Sequence, residues 1–162
     1  MNEDLRTKLH DTFTAIITES LGFETKSYGN AGASESDIRS GDLPSDLPNE
    51  YIDFLKYANG CTLFNYKDLD GFQFFGTQEL GKENKAIKKS YEEYWDESVI
   101  VFCTILGEGN YIGFRVRGGN TYEILDCFHE YVPGQWEVIG HSFDEFLEKL
   151  IDLKGEKYWL KS

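Results

Sequence analysis

The sequence predicts an α+β fold: one domain, 1–162, in which a largely antiparallel, mixed β-sheet is flanked by N-terminal, middle and C-terminal helices. Three observations predict it. Apolar residues recur at helical spacing near both ends of the chain and twice in between. From residue 62 to 140, short aromatic or β-branched runs dominate, several of them joined by glycine-bearing turns. No internal repeat or second domain is visible in the 162 residues. With 40% hydrophobic and 15% aromatic residues, the chain can fill a sizeable core without disulfide or metal staples.

Within an N-terminal segment 1–22, residues 3–21 read as a helix. Leu5, Leu9, Phe13, Ile16, Ile17 and Leu21 share one face, Asn2 caps the start and Gly22 ends it. Residues 24–46 carry few large apolar side chains and read as a loop, the segment most open to movement. One helical turn is possible there, begun by Ser34 with Asp37 at the capping-box position. In LPNEYIDFLKYANGC, Pro48 suits a first helical turn. Tyr51, Phe54, Leu55 and Ala58 form a single stripe, and Asn59-Gly60 suits a helix end. TLFNY and GFQFFG are strands around the turn KDLDG. Residues 79–95 are helical, with Leu80, Ile87, Tyr91 and Trp95 on one face. SVIVFCTIL is a central strand covered on both faces, and YIGFRVRGGNTYEILDCF is a hairpin about Gly118-Gly119-Asn120. QWEVIG adds a strand. SFDEFLEKLIDLK closes the fold as a helix, with a capping box from Ser142 and Glu145.

A net charge of −13 opposes nucleic acid and anionic membranes; on composition alone it reads first as a means of keeping the protein soluble, and it would also speed encounter with a basic partner. No run reaches the roughly 20 apolar residues of a membrane span. MNEDLRTKLHD lacks the basic and apolar regions of a secretory signal. Cys61, Cys103 and Cys127 form no CxxC pair and are expected as reduced, buried thiols in a cytoplasm. The chemistry-bearing motifs are weak. LGEGNYIGF departs from GxGxxG and leads into a strand rather than a helix N-terminus. KDLDG lacks the further ligands of a calcium loop. In DCFHEYVPG, Cys127, His129 and Glu130 could pair a nucleophile with a base. A hydrogen-bonded structural histidine is the alternative, and His10 and His141 are the only other histidines. YEEYWDES reads either as an amphipathic helix end or as an acidic rim around an aromatic anchor. The expectation is a binding protein, not an enzyme, with no cofactor and no metal.

The order of these segments resembles the SUKH superfamily. LPNEYIDFLKYANG is similar to its signature L-P-x-x-Y-x-x-F-L-x-x-x-N-G. GFQFFGTQEL, VIVFCTILGEGNYIGF, YEILDCFHE and SFDEFLEKLI follow in the family's order, so the likeness spans about 34–152. Cys61 stands where many members have a second glycine, and the turn 107–110 departs from the family pattern. The resemblance implies an α+β fold without catalytic residues. It also implies a bacterial immunity protein that neutralises a cognate toxin, often a nuclease; the alternative is a non-enzymatic regulator or scaffold, as among the relatives of the yeast cell-wall synthesis regulators. An acidic surface suits the basic cleft of a nuclease. The expected contact residues are acidic and aromatic side chains on exposed loops: Asp68, Asp70, Glu108, Tyr111, Glu130, Tyr131 and Trp136, then Glu93 and Asp96.

Overall fold

The computed structural model describes residues 1–15 and 17–160. Its elements are α1 (Glu3–Ala15), β1 (Ile17–Ser20), β2 (Phe23–Gly29), α2 (Glu35–Ser40), α3 (Asn49–Tyr57), β3 (Cys61–Tyr66), β4 (Asp70–Phe74), α4 (Leu80–Tyr91), β5 (Val99–Ile105), β6 (Asn110–Gly118), β7 (Thr121–Cys127), β8 (Glu137–Gly140) and α5 (Phe143–Asp152). Single 3-10 turns lie at Glu92–Tyr94, Pro133–Gln135 and Tyr158–Leu160. The strands form one sheet in sequence order. Every pair is antiparallel, so this α+β fold has an antiparallel meander rather than a mixed sheet. Among the described residues no helix is long and apolar enough to cross a membrane.

The N-terminal third differs most from the sequence reading. The first helix stops at Ala15, not at residue 21, and a hairpin follows. Thr12 and Thr14 hydroxyls bond back to the Lys8 and His10 carbonyls in the last turns. The β-branched stretch around Ile17 and Thr18 then favours a strand. Leu5 and Leu9 are buried as expected, Ile17 and Leu21 are exposed, and Ile16 lies outside the described residues. Gly22 closes the hairpin rather than a helix. Leu21 and Gly22 both take positive φ, the backbone that matches the twist of two antiparallel strands.

β2 occupies the first part of the expected loop 24–46. Its inward residues are Thr25 and Ser27, so the hydrophobic alternation that signals a strand is missing. Their hydroxyls do the packing instead: Thr25 donates to the Thr18 carbonyl (2.8 Å), and Ser27 accepts from the Phe64 amide (2.8 Å). The helical turn begun by Ser34 is present as α2, with the full Ser34–Asp37 capping box.

α3 has the expected stripe, and Tyr51, Phe54 and Leu55 are fully buried. Together with α5 it covers one face of the sheet through a lattice of rings: Tyr51 against Phe102, Phe114 and Phe143, Phe54 against Phe74, and Phe102 against Phe143 and Phe146. The expected Ser142–Glu145 box is only half formed. Ser142 accepts from the Glu145 amide (3.3 Å), and the remaining partners come from elsewhere in the fold: Glu50 of α3 accepts from the Asp144 amide (2.9 Å), and the Tyr122 hydroxyl accepts from the Phe143 amide (2.7 Å). The start of α5 is thereby tied to α3 and β7.

Tyr111 and Cys127 pair across β6 and β7 and point away from Ile112 and Phe114. α4 packs on their side. Tyr91 meets Trp136 edge-on at 5.4 Å, and Trp136 meets Trp95 at 6.4 Å. Asn84 of α4 bonds both the N–H and the carbonyl of Val101, where β5 runs past the end of β4. This covers β5 on both faces, as its unbroken apolar run requires.

Candidate functional site

In a sequential antiparallel meander, alternate connections lie at the same end of the sheet. The connections after β2 and β4 carry α2, α3 and α4, and that after β6 is a tight turn. The other end carries four short connections: Leu21–Gly22, 67–69, 106–109 and 128–136. α5 runs back from β8 to this same end, where Ser20 bonds the Lys154 carbonyl. Here the structure gathers Asp68, Asp70, Glu108, Glu130 and Tyr131, residues scattered over more than sixty positions of sequence.

The rim is internally wired. Lys157 Nζ lies 3.0 Å from Asp70 Oδ1 and 3.0 Å from Glu108 Oε1. Burial works against its charge, but the two carboxylates outweigh burial and hold its pKa above the ordinary lysine value. Asn110 donates to Glu108 Oε2 (3.4 Å), and its Oδ1 accepts from the His129 amide (2.9 Å) and lies 2.7 Å from His129 Nδ1. Asp70 and Glu108 are therefore partly neutralised, whereas Asp68 and Glu130 are the freer charges. Asp68 accepts from Asn65, and Glu130 stands 4.0 Å from His129 Nε2. Cys127 is fully buried beneath Gly113, and burial pushes its thiol well up. The His129 ring is held by Asn110 rather than by Cys127.

Two turns of the rim touch through a glycine. Gly107 has φ +81°, and a Cβ there would sit 2.2 Å from the Leu69 carbonyl oxygen. Gly107→Ala is expected to cost at least about 2 kcal/mol, from the left-handed backbone and the clash with a carbonyl that belongs to a turn. Thermal denaturation checks this. An unchanged melting point would mean that the two turns part without cost.

Four expected contact residues lie off the rim. Trp136 is a correction: at 3% exposure it is core, its indole N–H donating to the Phe128 carbonyl (3.0 Å). A tryptophan after a proline-glycine turn reads as exposed, but this turn folds inward over Tyr91 and Trp95. Tyr111 is half-buried on the α4 face, where burial and then Glu83 push its hydroxyl pKa up. Glu93 and Asp96 sit on the connection between β4 and β5, which leads from the opposite end. Glu93 is exposed, while Asp96 lies 3.3 Å from Arg115. Burial opposes the Asp96 charge, but Ser98 and Arg115 together hold the carboxyl below its usual range.

The sequence reading also missed the apolar part of the rim. Leu69 is 66% exposed, Leu160 65% and Leu21 62%, with Phe23 half exposed; they join Tyr131, the one apolar side chain of the rim that was expected and is itself half exposed. A leucine between two aspartates at a turn tip, as in KDLDG, was the available signal. Exposed apolar groups alternating with carboxylates are the anatomy of a protein-binding surface.

Residues 32–149 match the SMI1/KNR4 family (SUKH-1). The chain belongs to this family. A comparison with curated proteins returns no match. In this SUKH-1 chain the match begins just before α2 and ends within α5. The β1–β2 hairpin and the segment bearing Lys157 and Leu160 lie outside it, so this rim combines family turns with flanking chain.

Beside Tyr131 the rim holds a pocket of about 230 Å³, lined by Asp126, Phe128, Tyr131, Glu137 and Leu160. Asp126 and Glu137 are direct cross-strand partners. Burial raises the Asp126 pKa, Glu137 and Glu108 raise it further, and a hydrogen bond from the Trp159 side chain offsets part of the rise. A carboxyl with a folded-state pKa above its unfolded value contributes most below the unfolded value, about 4, and that contribution is lost as pH rises through the folded value. Asp126→Asn is therefore expected to stabilise the protein at pH 7, with the gain shrinking as pH falls toward 4. Urea denaturation at several pH values checks it; a loss of stability at pH 7 would refute it.

Proposed function

We propose that this protein is an immunity protein that binds and neutralises a cognate bacterial toxin by occluding its active-site cleft. The toxin is a nuclease with a basic cleft. The observation that carries the reading is the rim, where Asp68, Asp70, Glu108 and Glu130 surround exposed Leu69 and Tyr131 at one end of the sheet. Membership of the SUKH-1 family fits an immunity role in general. The net charge of −13 supports fast association with a phosphate-binding surface. The protein acts by binding alone, in the cytoplasm, without catalysis or cofactor. Its three cysteines are buried free thiols, in keeping with a reducing compartment.

The test is rescue. The C-terminal domain of the neighbouring gene's product is expressed in a host with and without this protein, and the complex is captured across a salt series. Rescue with a stoichiometric complex that weakens as salt rises is the expected result. Rescue with a salt-insensitive complex would keep the role and overturn the electrostatic mechanism. A toxic neighbour with neither rescue nor complex would overturn the role and favour a regulator or scaffold.

A further inference from the structure

We propose that the pocket between β7, the 128–136 connection and the C-terminal turn receives one arginine side chain of the protein partner. The inference rests on the binding role proposed above. Three features specify the guest. First, the pocket volume, about 230 Å³, is ample for an arginine side chain and small for a folded element. Second, its walls are apolar and aromatic. Phe128 and Tyr131 meet edge-on with centroids 5.3 Å apart, offering ring surface to a planar cation, and Leu160 suits an aliphatic stem.

Third, two carboxylates line it. Asp126 and Glu137 face each other directly across β7 and β8, an arrangement that like charges disfavour. Elsewhere this chain supplies its own cation to such groups: Lys157 to Asp70 and Glu108, Arg117 to Glu123, Arg115 to Asp96. Among the described residues no lysine, arginine or histidine forms an ion pair with Asp126 or Glu137, although the Trp159 side chain donates a hydrogen bond to Asp126. A guanidinium fits better than an ammonium because its fork of donors can engage two carboxylates while its face stacks on a ring. Nor do the described residues place three or more His, Cys, Asp or Glu where a metal could be held. An arginine from a phosphate-binding cleft would relieve the paired charges and bury its stem against the rings.

The test needs no toxin. The full chain, labelled with nitrogen-15, is titrated with acetyl-Gly-Arg-Gly-amide, and the amides of Phe128 and Tyr131 and the indole N–H of Trp159 are followed by NMR. Saturable shifts confined to this pocket are expected, with weaker binding of acetyl-Gly-Lys-Gly-amide. Asp126→Asn and Glu137→Gln should each lower the affinity about tenfold. Asparagine keeps an acceptor for Trp159, and Glu137 is exposed, so both variants should keep the fold; their melting curves verify it. Shifts scattered over the acidic surface, equal binding of the lysine peptide, or undiminished binding by Glu137→Gln would overturn the proposal. Peptide binding without toxin rescue overturns only the immunity role. Rescue without peptide binding overturns only the arginine pocket.

Discussion

Tyr51→Ala is expected to cost about 3–5 kcal/mol, a large part of the stability of a typical domain. Tyr51 is fully buried where α3, α5 and the sheet meet. Its ring touches those of Phe54, Phe102, Phe114 and Phe143. Its hydroxyl donates to the Phe75 carbonyl (2.6 Å), where the chain leaves β4. Truncation would open a cavity between four aromatic rings and remove the donor to a buried carbonyl. Tyr51→Phe keeps the ring and should lose only about 1–2 kcal/mol. Urea denaturation of the pair separates packing from hydrogen bonding, and a near-native midpoint for the alanine variant would sink the argument. Tyr51→Phe should bind the partner as the parent does. The motif that carries the family resemblance is scaffold, and none of its buried residues faces the rim.

Reversing two free charges of the rim, Asp68→Lys with Glu130→Lys, should weaken the toxin complex by more than about tenfold, mostly through faster dissociation. These two positions are chosen because Asp70 and Glu108 hold Lys157, so reversing them would disturb the turns as well as the contact. Glu93→Lys is the comparator. It changes the net charge by the same amount per site, but it lies on the connection leading from the other end of the sheet and should leave affinity within about twofold. Kinetic binding measurements at physiological ionic strength decide between them. An unchanged complex in the double variant, or an equal loss from Glu93→Lys, would place the interface elsewhere.

The elements read correctly from sequence are those whose instructions are local. α3 is specified by Pro48 and the stripe Tyr51–Phe54–Leu55; it ends one residue earlier than the stripe suggests, at Tyr57, with Ala58 already extended, and Gly60 at φ 82° turns the chain into β3 rather than closing the helix. The β-branched run of β5 and the glycine turn between β6 and β7 are equally self-contained. β2 escaped because its inward residues, Thr25 and Ser27, are small and polar. They belong in a strand only because Thr18 and Phe64 arrive beside them. The first helix was read too long because Ile17 and Leu21 happen to continue its spacing, while hairpin pairing with β2 was invisible.

The candidate site divides in the same way. The sequence by itself determined the acidic charge, the turn positions of Asp68, Asp70, Glu108 and Glu130, and the apolar periods that build a two-faced sheet, because composition and spacing act through neighbouring residues. Only the tertiary structure decided that alternate turns share one end, that Trp136 turns inward while Leu69 and Leu160 turn outward, and that Asp126 meets Glu137. Those outcomes depend on which strand lies beside which and in what register. Register is set by packing between residues far apart in the chain, which no local pattern encodes.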